Sequence, residues 1–183
     1  MDVQPSHPNA NEIADAIVKS FETLPKRMQK AKGNAAWTKQ LKDDIGILGE
    51  KHGWTICTAG FKGRFENAWL YDLLWYKEEE GHLSEVYLVM ESEWGWGRTH
   101  IKYDFEKLLL AKSPLKVMVF QTNNREIDAL FDFLEKGIRA FTRLQCTDEI
   151  YMLICYNDDL DKFDIRQYQG TGERIAKREV KPK

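Results

Sequence analysis

Three segments of this chain are apolar on both alternating faces: AWLYDLLWY (68–76), EVYLVMESEW (85–94) and LKVMVFQT (115–122). A strand with water on one side alternates apolar and polar residues, so runs without that alternation belong to central strands covered on both faces. Helices must supply the cover. NEIADAIVKSFETL places Ile13, Ile17 and Phe21 on one helical face, with Pro25 expected to interrupt or kink the helix. A second helix, 35–52, carries Trp37, Leu41, Ile45 and Leu48 in a stripe and ends at Gly53, a natural left-handed cap. REIDALFDFLEKGIRAFTRL, with Ile127, Leu130, Phe131, Leu134, Ile138 and Phe141 on one face, is the strongest amphipathic signal. WTICTA, EIYMLICYN and KFDIRQYQ supply further strands, and a helix is expected over 103–112. The expected fold is α/β, a mixed central sheet flanked by helices on both faces.

At 183 residues the chain is long enough for one full core, and a single domain is expected over 1–170. The stretch 171–183, TGERIAKREVKPK, carries five Lys or Arg against two Glu and reads as a basic, disordered tail. No apolar run reaches the ~20 residues of a membrane span. The start of the chain lacks the features of a signal peptide, and Cys57, Cys146 and Cys155 have no CxxC spacing. These features point to the cytoplasm and exclude a zinc ribbon. A formal net charge of −2 argues against binding nucleic acid by bulk electrostatics alone.

Carboxylates stand where burial should exclude them. Asp72 interrupts one apolar strand, and Glu91 and Glu93 interrupt the next. A buried carboxylate needs a cation, a proton or hydrogen-bond donors. Opposed residues of a hairpin have positions of constant sum. For Asp72 and Glu91 that sum is 163, which centres the turn between Gly81 and His82, inside KEEEGH. Residues 91 and 93 share a face because the strand period is two. The three acids are thus expected within a few ångströms of one another, an oxygen-only set suited to Mg²⁺ or Mn²⁺. Lys107, on the following helix, would bring an ammonium group to the same water or oxyanion.

This order of residues resembles the restriction-endonuclease-like, or PD-(D/E)XK, nuclease superfamily. Its core is αβββαβ, matched here over 35–122, with an extra N-terminal helix and a C-terminal helix plus two strands outside it. The resemblance implies a Mg²⁺-dependent nuclease, an endonuclease hydrolysing phosphodiesters, with DNA favoured as its partner and a homodimer compatible with cutting two strands. It makes Asp72 and Glu91 metal ligands. Position 93, usually lysine, is Glu93, counted with the metal ligands, and Lys107 takes the catalytic lysine's part, with Lys112 a weaker candidate. Glu50 stands where some members add a carboxylate. The loop WGWGRTH offers Trp96, Arg98 and His100 as nucleic-acid contacts, while Trp94 and Trp96 could instead pack over a core edge. Asp104 reads as a helix N-cap, and Ser92 faces away from the two glutamates. The alternative reading, favoured by the missing lysine, is a catalytically silent nuclease-like module that binds protein or nucleic acid.

Overall fold

The computed structural model describes residues 9–28, 33–63, 68–141 and 148–181. Helices α1 (Ala10–Met28) and α2 (Asn34–Lys51) precede three strands, β1 (Thr55–Cys57), β2 (Leu73–Glu79) and β3 (His82–Glu93). Then come α3 (Arg98–Leu110), β4 (Leu115–Thr122), α4 (Ile127–Ala140), β5 (Ile150–Asn157), β6 (Lys162–Gln169) and β7 (Arg174–Val180). All seven strands lie in one mixed sheet in chain order. The strands β3, β4 and β5 run parallel, because α3 and α4 carry the chain back between them, and every other neighbouring pair is antiparallel.

Burial follows from this layering. Ile13, Ile17 and Phe21 of α1 and Leu41 and Ile45 of α2 cover one face of the sheet, packed on Leu88, Met90, Val117 and Ile154. Ile101, Phe105 and Leu108 of α3 and Leu130, Phe131 and Leu134 of α4 cover the other, packed on Val89, Met118 and Leu153. Helices therefore flank the sheet on both sides, as the strands' lack of alternation required. Gly53 ends α2 with φ 79°. α1 continues through Pro25 to Met28. No helix among the described residues is long and apolar enough to cross a membrane.

The β2–β3 hairpin reaches the expected register by an unexpected route. Leu73 pairs with Met90, Leu74 with Val89 and Trp75 with Leu88, partners whose positions sum to 163. At the turn, however, Glu79 pairs with His82, so the turn is Glu80-Gly81. Register shifts after Trp75 and after Lys77 leave Tyr87 and Ser84 without partners on β2, and these extra residues carry the register from one value to the other. Continued by one residue, the pairing sets Asp72 opposite Glu91.

Of the stretch 171–183, the described residues depart from the expected role as a tail. Arg174–Val180 forms β7, paired with β6 from Phe163–Val180 to Tyr168–Arg174. Arg178 reaches Asp15 of α1 at 2.7 Å, and Lys162 reaches Glu179 at 3.0 Å. An edge strand exposes one row of backbone groups, and charged side chains there discourage pairing with other chains. Its composition therefore imitates a tail.

α2 lies so close to the sheet that a methyl group at Gly49 would stand 2.5 Å from Ile56 Cδ1 and 2.6 Å from Trp75 Cε2. Gly49→Ala is expected to destabilise the fold by about 1–3 kcal/mol, despite alanine's better helix propensity. Chemical denaturation checks this, and an unchanged midpoint would contradict the close packing.

Candidate acid–base site

Glu91 is 3% exposed near the carboxyl end of β3, on the face covered by α3. Lys107 reaches over from α3 and sets its Nζ 2.6 Å from Glu91 Oε1 and 2.9 Å from Asp104 Oδ1. The approach to Glu91 lacks hydrogen-bond angles, so this oxygen is charge-paired without a well-aligned donor. Burial pushes the Glu91 carboxyl up to about 7, with the Lys107 ammonium opposing that shift and Asp72 and Asp104 adding to it. Burial also works against the Lys107 ammonium, but Glu91 and Asp104 outweigh it and raise its pKa. The result is a fixed cation beside a carboxyl poised near neutrality.

α3 begins at Arg98, five residues earlier than expected. Asp104 is therefore inside the helix, one turn before Lys107, and not its N-cap. Its carboxylate pulls the ammonium into place at i,i+3 spacing.

The other two acids are held elsewhere. Asp72 precedes β2, and its Oδ2 accepts hydrogen bonds from the Ser92 backbone N–H at 2.9 Å and the Ser92 hydroxyl at 2.7 Å. Its second oxygen faces Lys42 of α2 at 3.8 Å. Glu93 bends back to accept the Gly95 N–H at 2.5 Å. Each of the three expected ligands thus has its own partner, and among the described residues no three His, Cys, Asp or Glu side chains are grouped as a metal centre requires. The donor set does not fit a divalent ion as it stands, because Lys107 already neutralises Glu91.

Of the remaining candidates, Glu50 pairs with Lys62, and Lys112 is exposed just beyond α3. Trp94 is 7% exposed and donates its Nε1–H to Thr38 Oγ1, the packing role foreseen for this loop. Trp96 is exposed, the Arg98 guanidinium lies 5.1 Å from the Phe133 ring centre, and His100 is exposed in the first turn of α3. Cys146 lies outside the described residues. Sequence reasoning missed Tyr71. Burial raises its phenol's pKa, Glu91 adds to the effect and Lys107 opposes it, so the phenol shares their field. Its signal was adjacency to Asp72 at the start of a buried strand. Lys42, next to Leu41 on α2 with its side chain 13% exposed, had none.

No protein-family model matches this chain, and no curated protein matches it. Solved structures that resemble it include the carbon-nitrogen hydrolase from Helicobacter pylori G27. It is 11% identical, with a TM-score of 0.42 over 95% of this chain and 80% of that one. A likeness so slight says nothing about chemistry. These findings do not place the chain in the restriction-endonuclease-like superfamily, and the three acids do not converge as its metal centre would require. The expectation of a nuclease or DNA-binding protein, with its silent variant, is corrected accordingly. What stands is a mixed α/β fold with a buried Glu–Lys pair.

Proposed function

We propose that the chain is an acid–base enzyme whose reacting carboxyl is Glu91. The observation that carries this reading is the burial of Glu91 beneath a single ammonium group, which leaves its proton exchangeable near neutral pH. A carboxyl with that affinity both takes and returns a proton at working pH, the property wanted in a general base. Uncompensated structural burial would select an apolar residue, since replacing a buried ion pair by apolar groups is often neutral or stabilising.

The chemistry that uses both groups most simply is hydrolysis of a small carboxylic ester or amide. Glu91 accepts a proton from water as the water oxygen bonds to the carbonyl carbon, and the carbonyl π electrons move to oxygen. Lys107 stabilises that oxyanion. The intermediate then collapses, and Glu91 returns the proton to the departing oxygen or nitrogen. Asp104 positions Lys107 between the two tasks.

The test is a screen of chromogenic esters and anilides. Turnover is expected to rise with pH through about 7 as Glu91 ionises. Hydrolysis indifferent to Glu91→Gln, or a profile flat across this range, would contradict it. Magnesium or manganese, expected from the acids in the sequence, would have to displace Lys107 from Glu91 and Ser92 from Asp72. Calorimetric titration with Mn²⁺ is expected to give no tight binding to the wild type. Micromolar affinity lost in Glu91→Gln would show that the ion does displace them.

A further inference from the structure

A recess opens at the carboxyl ends of the parallel strands, on the α1–α2 side of the sheet, opposite the face that Glu91 meets. Open sheets place ligands at such ends, where the connecting loops diverge. Asn34 and Trp37 of α2, Trp94 after β3, Gln121 of β4, and Tyr156 and Asp158 at the end of β5 line it. Its volume is about 220 Å³. That is below the roughly 300–1,000 Å³ of pockets for drug-sized molecules, so its occupant has few heavy atoms.

Three aromatic side chains stand among polar groups in this lining, and the polar tips of two of them, Trp94 and Tyr156, are engaged elsewhere. The Trp37 ring lies 6.0 Å from Trp94 and 5.7 Å from Tyr156, tilted by 53° and 37°. Trp94 donates to Thr38, Gln121 Nε2 donates to the Trp94 carbonyl, and the Tyr156 hydroxyl donates to Asp161 Oδ1 at 2.7 Å. The first and last of these bonds hold the Trp94 and Tyr156 rings in fixed orientations before any ligand arrives. The Asp158 backbone N–H donates to the Thr122 carbonyl, and its carboxylate has no side-chain partner among the described residues.

Tilted ring faces and a free carboxylate both attract positive charge. The start of α2 works in the other direction, with the equivalent of roughly +0.5 charge. Among the described residues, Asp158 on the rim and Asp161 behind Tyr156 set two carboxylates against that dipole. We propose that this recess binds a small organic ammonium ion, held by the faces of Trp37, Trp94 and Tyr156 and paired with Asp158. This site is independent of the Glu91 reaction.

The probe is tetramethylammonium chloride titrated into the full chain, with sodium chloride at matched ionic strength as control. The Trp37 and Trp94 indole N–H resonances are followed by NMR. Saturable shifts of both are expected, absent with sodium chloride, retained in Glu91→Gln and weakened about tenfold in Asp158→Asn. Shifts no larger than those with sodium chloride would overturn the proposal. Saturable shifts unchanged in a folded Asp158→Asn protein would overturn the assignment to Asp158. Should that variant not fold, the wild-type shift map decides, because shifts outside the recess contradict the site. Inorganic phosphate shifting these indoles where tetramethylammonium does not would likewise overturn it and give the recess to anions at the α2 end.

Discussion

Glu91→Gln is expected to stabilise the protein at pH 8 while lowering its activity by orders of magnitude. In the folded state the Glu91 carboxyl is raised from 4.5 to about 7. Between those values the folded state binds a proton that the unfolded state has released, so stability falls as pH rises through this window. The shift corresponds to about 3 kcal/mol, all of it present as a cost above pH 7 and absent below pH 4.5. Glutamine resembles the protonated acid in shape and does not ionise. The variant should gain roughly 2–3 kcal/mol over wild type at pH 8 and match it at pH 4.5. Loss of a general base should cost about 10²–10⁴-fold in the rate of any reaction the site catalyses. Denaturant unfolding at the two pH values checks the first half, and the ester and anilide screen checks the second. Equal stability differences at both pH values would contradict the account.

Lys107→Met reverses the sign. With the ammonium gone, an ionised Glu91 remains buried with neither partner nor water. Breaking a buried pair commonly costs about 3–5 kcal/mol, but Lys107 is a third exposed, and solvent already screens part of its charge. A loss of roughly 2 kcal/mol at pH 8 follows. At pH 5 the loss should be within about 1 kcal/mol, because Glu91 is then protonated. Glu91 responds by holding its proton to higher pH, which limits the alkaline loss and moves the pH dependence upward. In the double variant Glu91→Gln, Lys107→Met, most of the loss caused by Lys107→Met should disappear, leaving a stability near that of Glu91→Gln alone. Additivity of the two changes at pH 8 would contradict a direct pair.

The central strands and the two helical layers were legible because strand and helix periods differ, and unbroken apolar runs report cover on both faces. The proximity of Lys107 to Glu91 was legible for the same reason, since a helix leaving β3 had to return across the strand's own face. Other features were not. Asp72 and Glu91 come into register through bulges at Ser84 and Tyr87, and alternation alone does not reveal a bulge. Asp104 looked like a cap because aspartate favours caps, but the backbone turns at Gly97, with φ 122°, and α3 starts at Arg98. Arg174–Val180 looked like a tail because an edge strand is charged for reasons of its own. Above all, sequence order places carboxylates on neighbouring strands without saying which donors will claim them. The Ser92 N–H and hydroxyl took Asp72, the Gly95 N–H took Glu93, and Lys107 took Glu91. The pattern of three acids thus became two hydrogen-bonded carboxylates and one buried carboxyl paired with an ammonium.

The direct test is the titration of the Glu91 side-chain carboxyl, followed by ¹³C NMR in the wild-type chain and identified by its absence in Glu91→Gln. The expected midpoint is near pH 7, moving higher in Lys107→Met. A midpoint near 4.5, unmoved by Lys107→Met, would show an ordinary carboxylate and remove the basis for the proposed chemistry.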